Sequence, residues 1–405
     1  MESTWRWSAE TERVLDEVVA TRRDIHAHPE LGLQERRTAG LVGERLRALG
    51  LEVRTGVGVT GVVGLVEGGR PGPTVMLRAD MDALPLQETG DVPYASQVPG
   101  VMHACGHDAH TAMLLGVARI LAGQRAELAG RVKLVFQPAE EGGGGARLMV
   151  ADGVLRQPAV SAAFGLHVWN SLPIGTIGIL TGPLMAATDA LTLRVRGRGG
   201  HAASPHEAVD PIITAAHFLM AAQTAVSRST DPVRPAVFTV GSIHGGEARN
   251  IIPEEVVLEG TLRTLDAGVR ERMLRRLEAI LQGVTAAHGG DYVFDHRPGY
   301  PVTVSDAACA ELAREVSREV VGAERVVAPP PTMGGEDMSY YLQEVPGCYL
   351  WLGSANAAKG LAQPHHNPRF DFDERAMGIG VEVLVRLARR ALEHPERCGG
   401  APAAG

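Results

Sequence analysis

A chain of 405 residues exceeds the length over which a single hydrophobic core keeps growing, so two domains are expected. With 45% hydrophobic and 21% charged residues it buries enough apolar surface to offset chain entropy, which excludes an intrinsically disordered protein. The net charge of −8 excludes the basic footprint that nucleic acid or anionic lipid requires, so neither nucleic acid nor membrane is an expected partner.

Residues 1–19 are acidic throughout and lack the basic stretch and apolar core of a secretory leader, so the mature chain is expected to start at Met1. No run approaches the roughly 18 uninterrupted apolar residues of a membrane span. Cys105, Cys309, Cys348 and Cys398 show no paired spacing, which suits a reducing compartment, and a cytoplasmic location is expected.

Apolar positions recur at helical spacing over residues 11–23 and 34–49, with His26-Ala27-His28-Pro29 as a break between them. Short β-rich runs follow at 61–66, 74–79, 132–136 and 163–168, with the clearest helix at 110–121. This alternation predicts an α/β domain, a mixed and largely parallel sheet flanked by helices. Near residue 184 the texture changes to strand 190–196, helix 210–227, strands 236–242 and 255–263, and helix 269–287. That β-α-β-β-α series predicts a ferredoxin-like α+β domain over 184–297, inserted into a larger domain of 1–183 and 298–405. Helices at 305–320 and 376–392 around a strand at 348–352 resume the larger domain. No internal repeat or low-complexity tract stands out apart from the run from Gly142 to Gly145 and the tail after Cys398, which looks flexible.

Five segments end in residues that bind metals. In Met102-His103-Ala104-Cys105-Gly106-His107-Asp108-Ala109-His110 a loop feeds a helix, and a Cys thiolate with a His two residues on suits a borderline or soft divalent ion. The strand at 132–136 runs into Glu140-Glu141, and an open α/β sheet places its ligands outside the carboxyl ends of its strands. His167 ends another apolar strand. Asp80 and Asp82 follow the strand at 74–79 and either ligate metal or, like Asp108, support a ligating His by a hydrogen bond. The loop Pro364-His365-His366-Asn367-Pro368 supplies a further imidazole. Each segment alone has a plain structural reading; five together point to one metal site. Gly56-Val57-Gly58-Val59-Thr60-Gly61, with Asp80 about 20 residues on, also matches a dinucleotide fingerprint, the mark of a nicotinamide-dependent dehydrogenase. Strand and turn follow it, however, where that fingerprint needs a helix.

In order along nearly the whole chain, Ile25-His26-Ala27-His28-Pro29-Glu30, residues 77–85, 102–115, 136–145, 165–169 and 197–205, Asn250-Ile251-Ile252-Pro253, Gly335-Glu336-Asp337 and residues 366–370 resemble a metallo-amidohydrolase family. That family includes hippurate hydrolases, indoleacetyl-amino-acid hydrolases, aminoacylases and related carboxypeptidases. The resemblance implies a zinc-peptidase-like catalytic domain with two divalent ions per subunit (Mn, Zn, Co or Ni), held by Cys105, His107, Glu141, His167 and His366, with Glu140 as general base. It implies that the inserted domain is a lid that mediates dimerisation, giving a homodimer or a tetramer. His201 matches the family histidine that stabilises the tetrahedral oxyanion, and Asn250, beside Arg249, matches the position that holds the substrate carboxylate. The implied reaction is hydrolysis of the amide of a small-molecule N-acyl amino acid, with a small-peptide carboxypeptidase, or a binding protein that lost the activity, as alternatives. The sequence departs from the family pattern at Met338 and Asn170, which are not among these ligands.

Overall fold

The computed structural model describes residues 5–398 and divides the chain into two compact units. One comprises the chain up to residue 182, with 304–330 and everything from 337; the other comprises 183–303 with 331–336. Residues 1–4 and the stretch after Cys398, and with them the start and the tail considered above, lie outside the described residues.

The first unit opens with helix α1 (Ala9–Ala27), whose Ser8 cap accepts from the Thr11 amide, and with Glu10 and Glu12 in its first turn. The helix runs through His26 and Ala27, so the break falls at His28. Helix α2 (Arg36–Ala48) follows, and then strands β1 (Glu52–Val57) and β2 (Gly61–Glu67), which pair antiparallel. A Cβ on Gly61 would stand 2.3 Å from the Val57 carbonyl, so a glycine closes this hairpin. The glycine-rich segment is thus a β-turn region without the helix N-terminus that a pyrophosphate needs.

Next come β3 (Arg70–Asp80), helix α3 (His107–Gly123), β4 (Ala129–Gln137), helix α4 (Gly145–Ala151) and β5 (Ala162–Pro173). The sheet has eight strands in the order β1-β2-β4-β3-β5, then Gly347–Ala355, Ile177–Gly178 and Val326–Val327. Its centre, from β4 through Gly347–Ala355, is parallel. Parallel strands covered on both faces become continuous apolar runs, as in Val132, Leu134, Val135 and Phe136 of β4, all buried. Val14, Met113, Phe164, Leu350 and Val381 belong to one core shared by sheet and helices.

Two helices start where composition gives little sign of them. Helix α3 begins at His107 rather than 110, because its polar first turn, with His107, Asp108 and His110, is buried. Helix α4 emerges from the low-complexity glycine run: a Cβ on Gly145 would lie 1.7 Å from the Pro138 carbonyl, so the glycine permits close packing. The four cysteines are free thiols, and among the described residues no helix is long and apolar enough to cross a membrane.

The second unit is a four-stranded antiparallel sheet in the order Ala236–His244, Glu255–Thr264, Ala187–Arg196, Asp291–Pro298, with helices Pro211–Ser227 and Ala267–His288. Leu191, Leu193 and Val195 alternate inward and share a core with Phe218, Leu258 and Leu277. The strand Asp291–Pro298 is absent from the sequence reading. It completes a β-α-β-β-α-β ferredoxin-like unit, but as an edge strand with no fully buried position it leaves no apolar alternation to find.

Candidate metal centre

Parallel strands deliver their carboxyl ends to one edge of the sheet. There β3 ends at Asp80 just before Asp82, β4 runs on into Glu140 and Glu141, β5 carries His167, and α3 starts at His107. Two groups of three residues gather: Cys105, His107 and His167, and Cys105, Glu141 and His366, with ligand atoms in each group within 4.8 Å of one another. Cys105 belongs to both groups. Glu140 forms a further group with His107 and Glu141.

Hydrogen bonds decide which imidazole nitrogens face inward. His107 Nδ1 donates to the Asp82 carbonyl at 2.9 Å, leaving a buried Nε2 with no hydrogen-bond partner. A buried nitrogen without a hydrogen-bond partner, facing the Asp80 carboxylate at 3.7 Å, is a place where a cation can replace the proton, and that atom is the feature that fits a metal ion here. His167 Nδ1 donates to the Val168 carbonyl at 2.6 Å, which turns Nε2 toward Cys105 Sγ, 3.4 Å away. His366 Nε2 is 3.1 Å from Glu141 Oε1, and its backbone holds a positive φ of 63°. By contrast His110 is fully engaged, Nδ1 donating to Asp80 Oδ1 at 2.6 Å and Nε2 accepting from the Val168 amide at 2.9 Å. His365 Nε2 is likewise spent on the Val168 carbonyl.

The site is rich in negative charge. Burial, then Glu141 and Glu140, push the Cys105 thiol well above its ordinary pKa. Burial opposes protonation of His107, yet Asp80 and Asp82 outweigh it and raise the imidazole to about 10. Burial, helped by His110 and His365, keeps His167 well below its usual value and therefore neutral, the form that ligates.

Beneath the site Arg78 is fully buried. Its guanidinium donates to Asp80 at 2.6 Å, Asp337 at 2.8 Å and the Gln137 carboxamide at 2.8 Å, and Asp337 in turn accepts from the Ala146 amide in α4. Arg78→Met strips two buried acids of their cation and is expected to destabilise the protein by about 3–5 kcal/mol, read as a lower denaturant midpoint. An unchanged midpoint would show that these acids do not depend on it. Asp108 turns from the ligands toward Arg22 at 2.7 Å and His26 at 2.8 Å, so it anchors α3 to α1 and does not support His107 directly. Asp82 does touch His107, and it also accepts the amides of Glu140 and Glu141.

His201, Arg249 and Asn250 belong to the second unit. His201 is exposed, its Nδ1 accepting from the Ala203 amide at 3.0 Å, and it lines an open cavity of about 840 Å³ with His244, Asn250 and Ile252. Arg249 is exposed. Sequence reasoning passed over Arg263. This side chain is half-buried, and burial lowers its pKa. Its Nε donates to the Thr261 hydroxyl at 3.1 Å. Asp189, the acid that acts on it, is already engaged by Arg270 at 2.6 Å and His296 at 2.5 Å. A cation on an otherwise alternating strand was the only trace of it in the sequence.

Residues 76–390 match the sequence profile of Peptidase family M20/M25/M40. The chain is 41% identical over 383 residues to thermostable carboxypeptidase 2 of Saccharolobus solfataricus, covering 94% of this chain and 96% of that one. It is 41% identical over 381 residues to IAA-amino acid hydrolase ILR1-like 4 of Arabidopsis thaliana, covering 93% and 86%. Among solved structures, the Bacillus subtilis YXEP protein, described as a dinuclear metal binding peptidase from the M20 family, superposes with a TM-score of 0.83 at 34% identity, over 94% of this chain and 99% of that one. With the family profile spanning most of its length and such relatives along nearly all of it, the chain belongs to peptidase family M20/M25/M40 and is a hydrolytic enzyme.

Proposed function

We propose that the protein is a dinuclear-metal amidohydrolase that cleaves the amide of N-acyl amino acids. The observation that carries this reading is the pair of ligand groups sharing Cys105, with Glu140 beside them. Cys105, His107 and His167 would hold one divalent ion, and Cys105, Glu141 and His366 the other, drawn from Mn, Zn, Co or Ni. When bound, such ions supply Lewis acidity, which polarises an amide carbonyl and lowers the pKa of a coordinated water from 15.7 toward about 7.

The chain's own groups do the rest. Glu140 takes the proton of the attacking water on its carboxylate and returns it to the departing amine nitrogen. His201 donates to the developing oxyanion; full turnover by His201→Ala would remove it from that role. For the substrate carboxylate, Arg263 is better suited than Arg249. A half-desolvated guanidinium without a paired acid gains most from an incoming anion, whereas an exposed one stays hydrated. Arg263→Gln is expected to raise KM by about 10- to 100-fold with little change in kcat, the equivalent of one charge-assisted hydrogen bond, while Arg249→Gln leaves KM unchanged. The reverse order would return the role to Arg249, with Asn250 next to it in the chain.

We further propose that the second unit, a lid, joins two copies of the chain in the cytoplasm. Ile212, Ile213 and Met220 on one helix, with Val237 and Ile243 on the edge strand, are exposed apolar side chains of the kind an interface buries. Light scattering of wild type and Met220→Glu tests this, and a wild-type monomer would end it.

The 41% relative named as a carboxypeptidase supports a second reading, cleavage of small peptides by the same chemistry. Metal-loaded protein tested on acetyl, benzoyl and indoleacetyl amino acids beside dipeptides separates the two. Under either reading a chelator is expected to abolish turnover and added divalent metal to restore it. Hydrolysis that persists in the metal-free protein would sink both.

A further inference from the structure

We propose that Glu35 is a positioning residue for the turn that carries Glu140 and Glu141, an assignment that rests on reading those two carboxylates as base and ligand. Glu35 occupies the N-cap of α2, where an acid ordinarily accepts an amide of the first turn, yet its side chain makes no capping bond. It points into the protein instead, fully buried. Oε1 accepts the Ala139 amide at 2.8 Å and Oε2 accepts the Thr60 hydroxyl at 2.5 Å. Burial raises its pKa, as expected of an acid moved out of water. The Glu30 carboxylate caps α2 in its stead, accepting the Arg37 and Thr38 amides at 2.9 Å each, which leaves Glu35 to face inward at a desolvation cost, so what it holds in place matters.

What it holds is strained. Ala139 sits at φ 50°, a left-handed conformation that a residue with a Cβ adopts at a cost of roughly 1–2 kcal/mol. The next two amides, of Glu140 and Glu141, donate to the two oxygens of Asp82 at 3.0 and 2.9 Å. Three successive N–H groups are therefore taken by two buried carboxylates, Glu35 first and Asp82 for the pair that follows. The loop leading to Glu35 braces the same point. A Cβ on Gly32 would come 3.0 Å from the Ala139 Cβ, and the Glu30 carbonyl accepts the amide of Ala83, next to Asp82. One short loop thereby references both clamps to each other. Without Glu35 the Ala139 backbone can relax out of the left-handed region, which turns the following peptide and swings Glu140 and Glu141.

Three substitutions separate reach from charge. Glu35→Gln keeps an oxygen for the Ala139 amide and an NH₂ for Thr60, and is expected to keep kcat within about threefold. Glu35→Asp keeps the charge but is one methylene short. It and Glu35→Ala are expected to lose about 100-fold in kcat, the effect of an ångström-scale misplacement, with KM changed little. Hydrogen exchange supplies a readout independent of turnover: amides 139–141 should exchange at least tenfold faster in Glu35→Asp and Glu35→Ala than in wild type or Glu35→Gln. Slow exchange in the Asp and Ala variants, or full kcat despite fast exchange, would overturn the assignment, as would loss of kcat in Gln with retention in Asp. If even the wild type hydrolyses no amide, the functional reading fails, while the exchange comparison still decides whether Glu35 holds the turn.

Discussion

Glu140→Gln is expected to lower kcat by about 10²- to 10⁴-fold, or roughly 3–5 kcal/mol of activation free energy, while the protein keeps its fold, its KM and its full complement of metal. The substitution conserves volume, and the backbone amide that donates to Asp82 is untouched, so the turn should stay where it is. What disappears is a side chain able to take a proton. Metal counting gives the experiment its force, because Glu140 also stands in a group with His107 and Glu141. Were Glu140 a ligand, its amide variant would lose metal and activity together. As the base, it loses activity alone, and Glu141→Gln is the variant that loses metal. A Glu140→Gln protein with wild-type kcat, or one stripped of an ion, would refute the assignment.

Much of this site was legible because parallel strands announce their ends. An apolar run that must be covered on both faces stops abruptly where it leaves the sheet, and the polar residues just past that stop, Asp80, Glu140 and Glu141, stand at the carboxyl edge. His167 was singled out by the same rule, although β5 runs on past it to Pro173, so it lies inside the strand rather than at its end. The rule fails where polar side chains are buried by one another rather than by apolar neighbours. The first turn of α3 carries His107, Asp108 and His110 inward, so apolar periodicity starts a turn too late. Arg22, Arg78 and Glu35 are buried charged or acidic side chains that each have a partner far along the chain, Asp371 for Arg22, Asp337 for Arg78 (besides its near neighbour Asp80) and Ala139 for Glu35. Nothing local marks the distant pairings. The edge strand Asp291–Pro298 escaped for the opposite reason, since it buries too little to impose a pattern. Arg263 could have been found only by asking which part-buried cation of the second unit lacks an acid, a question about space rather than sequence.

Cys105→Ala is expected to reduce bound metal below two ions per chain and to lower turnover more than loss of any other single proposed ligand, because Cys105 alone belongs to both groups. Removing His167 or His366 leaves the other group whole; removing Cys105 leaves each with two members. The protonation of the metal-free site makes a second, independent reading available. Its thiol is held well above the ordinary cysteine range by burial and by Glu141 and Glu140, so it carries a proton at pH 8. His107, raised to about 10 by Asp80 and Asp82 against the effect of burial, carries one as well. Both groups have raised pKa values, so both stay protonated below them, and a metal ion must displace both protons because a thiolate and a neutral imidazole are the ligating forms. Loading wild-type protein at pH 8 should therefore release about two protons per chain from these residues, and affinity should rise by about 100-fold per pH unit while pH stays below both values. In Cys105→Ala the release should fall by about one proton and the slope to about tenfold per unit. Calorimetric titration with metal in buffers of different ionisation enthalpy measures the protons, and elemental analysis counts the ions. Two ions held at wild-type affinity by Cys105→Ala, with undiminished proton release, would show that the thiol is not the shared ligand and that the two groups do not describe one dinuclear centre.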